Sequence, residues 1–435
     1  MSDILSSFPV SSEINDMDHL VIGGSDVIEL AVNFGTPLYI YDETTLRQQC
    51  TEFRTEFARH YPDSEVIYAA KAFLNPALVR ILKDEGLGLD CVSAGEISIA
   101  REAGFPLHRA FFHGNNKSVE ELKLALKWQV GRIVVDNFHE MDMLKQIAAA
   151  EGARPDILLR LSPAVDPHTH KYISTGIIDS KFGFTLSDWE EAVAQASAAP
   201  QLNLLGLHFH IGSLIHETEP YVLAIDKVLE FAAEMQQKHN FVLKELNTGG
   251  GFAIQYTRDL PAPPIATYAE VIGGRITQKA RELGMLAPRL IVEPGRSIVG
   301  RAGVAIYEIG AIKEIPDVRC YASVDGGMGD NIRPALYEAS YEAVLANRVT
   351  EEPSTKVTIA GKFCESGDIL IKDITLPTPA PGDIIALPGS GAYCLAMSSN
   401  YNASLRPAVV MVREGEIRLI RRRETFADLT RCDVA

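Results

Sequence analysis

The chain of 435 residues carries 41 Lys and Arg against 57 Asp and Glu, a formal net charge of -16. That balance argues against nucleic acid or an anionic membrane as partner, while a local pocket of opposite sign can still take a small anion. With 46% hydrophobic residues and no apolar run long enough for a membrane helix, a packed two-domain protein is expected, one domain large enough for a barrel.

The opening MSDILSSFPVSSEINDMD has acids and no basic region ahead of an apolar stretch, so no secretory signal is expected. Cys50, Cys91, Cys320, Cys364, Cys394 and Cys432 are scattered without a C-x-x-C pair. This argues against structural zinc or a disulfide framework and for reduced thiols in a cytoplasm.

HLVIGG…TPLYIYDE is strand-like and precedes a recurring unit between residues 65 and 296. Short β-branched runs end in polar or Gly residues, and a helical stretch follows each: EVIYAAK, GLGLDCVS, AFFHGNN, RIVVDN, DILLRLS, LLGLHFHIGS, KELNTGGG and RLIVEPGR. AGEISIAREAG, SVEELKLALKWQ and EPYVLAIDKVLEFAAEMQQKH have helical spacing. Eight such units predict a closed (β/α)8 barrel, placed at 44–302. After residue 303 the texture changes to strands with Pro/Gly-rich connections. It predicts a mostly antiparallel β domain over 303–435, joined by residues 1–43, with a hairpin turn at REGE.

Chemistry in such barrels gathers where the strands end. The predicted ends carry Lys71, Asp90 with Ser93, His113 with Asn115, Asp136, Arg160, His210 with Ser213, Gly249–Gly251, and Glu293 with Arg296. NTGGGF and EPGR follow the seventh and eighth strands, the usual place for phosphate, and Gly lets backbone N–H groups approach it closely. A lysine across the barrel mouth from a phosphate cradle suggests pyridoxal phosphate. Lys71 would form the Schiff base, Glu293 would keep the pyridine nitrogen protonated, and His210 would lie on the ring. The His208-Phe-His210 run also has the spacing of a metal pair, but no further ligand set completes it in the sequence, so no metal is expected. His168 and His170 are read as rim or loop residues.

The motifs YAAKA, HGNNKS, HFHIGS, GGGF, EPGR, IRPALY, CESGD and GAYCLAMSSNYN together resemble the barrel-type (alanine-racemase-fold) pyridoxal-phosphate decarboxylases, and among these the diaminopimelate decarboxylases. The resemblance spans GTPLYIYDE to RPAVVMV and implies decarboxylation of meso-diaminopimelate to L-lysine, the last step of bacterial lysine biosynthesis. It implies Lys71 as the Schiff-base lysine and Cys364 as the acid that protonates the α-carbon. Asp90, His210, Ser213, Gly250, Gly251, Glu293, Gly295, Arg296 and Tyr393 would hold the cofactor. Arg296, Arg333, Tyr337, Glu365 and Tyr393 would hold the substrate. It further implies an obligate homodimer whose CES loop reaches the partner's site.

The residue types agree with that assignment. Two arginines suit a distal carboxylate and Glu365 a distal ammonium, and diaminopimelate carries both on its far end. The alternative within the class is a decarboxylase of another or a carrier-tethered amino acid, since such specificity rests on few contacts.

Overall fold

The computed structural model describes residues 4–166 and 180–434; His168 and His170 lie outside the described residues. The chain divides into two compact units. One comprises residues 50–253 and 263–295, the other residues 1–49, 254–262 and 296–435.

The first unit is a closed barrel of eight parallel strands. In chain order these are Ser64–Ala69, Gly88–Cys91, Ala110–Phe112, Arg132–Val135, Asp156–Arg160, Asn203–His208, Glu245–Asn247 and Arg289–Val292. Leu290 pairs with Ser64 and Val292 with Val66, which closes the ring. The strands read as continuous apolar runs because helices cover the outside and side chains fill the inside. Ile67, Phe111, Val134, Leu158, Leu205 and Ile291 form the inner cluster. At the strand starts Arg132 grips both Glu245 oxygens at 2.9 and 2.7 Å and Asp156 at 3.1 Å, so the floor is tied by charge.

The rim loops end in helix caps. Asn75 accepts from Leu78 N–H at 2.8 Å, with Pro76 opening the helix Pro76–Asp84. The Asn-Pro turn after Lys71 is therefore a helix start. Ser93 caps Ala94–Glu102 and Ser118 forms a capping box with Glu121, so Ser93 works as a cap. The three long helical stretches predicted from spacing are Ala94–Glu102, Val119–Lys127 and Glu219–His239.

The second unit is built on a nine-stranded mixed sheet. Leu38–Asp42, wholly buried, sits between Gly303–Ile315, its antiparallel neighbour, and Ala408–Arg413, its parallel one. Arg319–Val324 and Thr355–Ala360 form a second parallel pair. The strand Ile369–Leu376 is not singled out by the sequence pattern. The predicted turn joins Ala408–Arg413 to Glu416–Arg421 through Glu414 (φ 51°) and Gly415 (φ 82°), the two positive values of a type I′ hairpin. Leu38, Ile40, Val304, Ile306, Val410 and Val412 belong to its core. No described helix is long and apolar enough to cross a membrane.

Candidate active site

The C-terminal ends of the barrel strands surround a cavity of about 440 Å3 lined by Lys71, Asp90, His113, Arg160, His210 and Glu293, among others. Lys71 stands on the short 3-10 turn Ala70–Ala72 that separates the first strand from its helix. A strand would point successive side chains to opposite faces, and the tighter turn instead presents the ammonium to the cavity.

Glu293 follows the eighth strand and is 5% exposed. Its Oε1 accepts from Asn247 Nδ2 at 2.7 Å and lies 3.0 Å from His113 Nε2, while His208 Nε2 lies 3.4 Å from Oε2. Burial alone would push this carboxyl up, but the His113 and His208 imidazoles overrule it and hold it well below the carboxylate range. Burial lowers His208 itself to about 4 against the pull of Glu293, so near neutrality it is uncharged. Asp90, 3.6 Å from His113 Nε2, is pushed up by burial.

His210 lies just past the sixth strand. It accepts the Gly250 N–H on Nδ1 at 3.2 Å, which makes the ring neutral with its proton on Nε2. Burial and the nearby Lys71 charge hold its pKa well below the usual value.

The Gly249–Gly251 turn follows the seventh strand. Gly249 has φ 71° and Gly251 φ 109°, and the Asn247 side chain braces the turn by accepting from Gly249 N–H at 2.9 Å. A Cβ on Gly250 would stand 2.2 Å from Glu293 O, and one on Gly295 2.9 Å from Ala69 Cβ. Only bare backbone fits, and within the turn the Gly249 and Gly250 N–H groups are donated to Asn247 and His210. Ser213 is exposed in the loop after the sixth strand.

Arg296, Arg333, Tyr337, Cys364, Glu365 and Tyr393 belong to the other unit. Arg296 opens the short helix Arg296–Val299, and its guanidinium lies 4.7 Å from the Tyr393 ring centroid. Tyr393 has φ 62°, uncommon for a bulky residue. Arg333 is 3% exposed, and Tyr337, four residues on in the helix Arg333–Tyr337, is 60% exposed. Cys364 and Glu365 are exposed.

Sequence reasoning passed over Asn247, which joins the Gly turn to Glu293. The signal was available in NTGGG, an Asn set two residues before a glycine as in an Asx turn. It also passed over Tyr256 and Tyr341, whose hydroxyls accept from Arg296 and Arg333. No local motif marks them, because the partners lie 40 and 8 residues away.

His113, His208 and Glu293 place one ligand atom each within 4.8 Å of one another, a set able to hold a metal ion. The H-x-H spacing suggests a His208–His210 pair, whereas the structure groups His208 with His113 and Glu293. Pyridoxal phosphate fits the same pocket. Asp90 Oδ1, His113 Nε2 and both His208 nitrogens are buried without a well-formed hydrogen bond. Glu293 can face a ring nitrogen, Lys71 an aldehyde, and the side-chain-free turn a phosphate.

Comparison with known proteins agrees. A family model for the pyridoxal-dependent decarboxylase, pyridoxal binding domain, matches residues 43–300. A Bacillus subtilis diaminopimelate decarboxylase is 47% identical over 426 residues, covering 98% of this chain and 97% of the relative. A Synechocystis diaminopimelate decarboxylase is 45% identical over 98% of this chain and 92% of its own length. The crystal structure of the M. jannaschii diaminopimelate decarboxylase in complex with L-lysine superposes with a TM-score of 0.92 at 34% identity, covering 98% of each chain. The chain belongs to the pyridoxal-dependent decarboxylases, within the diaminopimelate decarboxylase family.

Proposed function

We propose that the protein decarboxylates meso-2,6-diaminopimelate to L-lysine and carbon dioxide, as a cytoplasmic homodimer at the end of bacterial lysine biosynthesis. The observation that carries this reading is that Lys71 and an ionised Glu293 line one pocket at the strand ends. Pyridoxal phosphate, when bound, supplies the electron sink that takes up the charge left as carbon dioxide departs.

The chain's own groups do the rest. Lys71 would anchor the cofactor through Nζ, Glu293 would keep a proton on the ring nitrogen with Asp90 nearby, and neutral His210 would face the ring. Ser213, Gly250, Gly251, Gly295, Arg296 and Tyr393 hold the phosphate. Arg296, Arg333, Tyr337 and Tyr393 bind the substrate's distal carboxylate end, and Glu365 its ammonium. The Cys364 thiol returns a proton to the α-carbon in the partner subunit's site, which makes the dimer obligatory for turnover.

The test is product formation by the cofactor-loaded protein. L-lysine and carbon dioxide from diaminopimelate, with ornithine, lysine and arginine untouched, is the expected result. Turnover of one of the monocarboxylates in preference to diaminopimelate would reject the substrate.

A further inference from the structure

Arg333 is a buried guanidinium without a carboxylate partner among the described residues. Its Nη1 donates to the Tyr341 hydroxyl, and its Cζ lies 4.6 Å from the Tyr256 ring centroid and 5.4 Å from that of Tyr341. The Tyr256 hydroxyl accepts from Arg296 Nη1 at 2.5 Å. One tyrosine thus touches both arginines, Arg333 by its face and Arg296 by its oxygen.

We propose that Tyr256 is a positioning residue that fixes the Arg296 and Arg333 guanidiniums as a pair for the distal carboxylate, and so sets the preference for a substrate carrying one. This rests on the proposed substrate.

The chemistry favours a phenol in this place. A carboxylate between two guanidiniums would hold them but cancel charge that a ligand needs. A neutral phenol accepts a hydrogen bond, offers a π face to a cation, and leaves both positive charges in place. Arginine cannot shed its proton when buried, so the charge on Arg333 persists until an anion meets it. Tyr256 is itself held. Its ring meets Tyr341 edge-on at 5.6 Å and 83°, and Gly389 (φ 69°) lies so close that an added Cβ would be 3.1 Å from Tyr256 Cδ1. The surrounding chain leaves the ring little freedom.

L-lysine and 1,5-diaminopentane differ only by the carboxylate in question, so their binding to the cofactor-loaded protein isolates it. The wild type is expected to prefer L-lysine. Tyr256→Phe, which keeps the ring and removes the hydroxyl, should reduce that preference about tenfold, with the loss falling on L-lysine. For diaminopimelate the change should fall on KM more than on kcat. Tyr256→Leu, which also removes the face under Arg333, should lose more of the preference and serves as a second variant. An unchanged preference in Tyr256→Phe, or an equal weakening of both ligands, overturns the assignment. A wild type that binds both ligands equally overturns the substrate reading and this inference with it, and is recognised before any variant is made.

Discussion

His113 Nε2 and Glu293 Oε1 stand 3.0 Å apart with both side chains buried, and Asn247 donates to the same carboxylate oxygen from the other strand. A carboxylate so held stays ionised and can keep a proton on a facing ring nitrogen. Glu293→Gln preserves shape and removes that charge. We expect the decarboxylation rate to fall by about 100-fold or more, the scale of a lost acid–base partner. The ionised carboxylate, whose pKa is depressed on folding, also contributes stability, so the thermal midpoint of Glu293→Gln should fall and the rate is read on folded, cofactor-loaded protein. Full activity in Glu293→Gln would remove Glu293 from the chemistry.

His208 also predicts how stability depends on pH. Its pKa falls from 6.5 to about 4 on folding because burial disfavours the imidazolium. Between those values the unfolded chain binds a proton that the folded chain refuses, so stability is full above pH 6.5 and declines as pH falls toward 4. The loss from this one group is about 3 kcal/mol. Glu293, whose pKa is depressed, adds its own loss at lower pH still, below 4.5. Urea midpoints across this range should therefore drop with acid, and His208→Gln should flatten the slope between pH 6.5 and 4. An unaltered slope in the variant would mean that another group carries the effect.

Much of this site could be read along the chain. All eight barrel strands announce themselves as apolar runs ending in a polar or Gly residue, because a parallel strand covered on both faces has no polar register to obscure it. Lys71, His210 and Glu293 were legible for the same reason, since a titratable group at the end of such a run stands out. Tyr256 was not, as it meets Arg333 only through the tertiary fold of its unit. Ser93 misleads in the opposite sense. It looks like a rim ligand, and it caps a helix because a serine before an amphipathic run satisfies a free backbone N–H. The strand Ile369–Leu376 is harder to see because it lies within DILIKDITL, where an exposed Lys372 and Asp373 at φ 59° break its alternation.

Lys117, in HGNNKS, has a structural role that the motif does not reveal. Its ammonium is buried and donates to Gly114 O and Val134 O at 2.8 Å and to Glu140 Oε1 at 2.7 Å. It thereby ties the loop after the third strand, whose Gly114 and Asn115 line the cavity, to the fourth strand. Lys117→Met strands the Glu140 carboxylate in the interior and should cost about 3–5 kcal/mol in urea unfolding. Adding Glu140→Leu removes the stranded charge and should recover much of that loss. Equal destabilisation in the single and double variants would show that the cost lies in packing and not in charge.

Cys364 is exposed on a loop that is otherwise held firmly. Asp368 accepts from Met328 N–H at 2.6 Å and from Phe363 N–H at 2.9 Å, and Asn402 accepts from Cys364 N–H at 3.0 Å. A rigid loop that presents a thiol outward suits delivery to a second copy of the chain, and subunit mixing tests this directly. Lys71→Ala and Cys364→Ala should each be nearly inactive alone. If Cys364 serves the partner's site, a mixed dimer of the two variants contains one site with both residues intact and one with neither. Random exchange makes half the dimers mixed, so the mixture should regain about one quarter of wild-type activity. If Cys364 served its own chain's site, every site in the mixture would lack one of the two groups, and no activity would return.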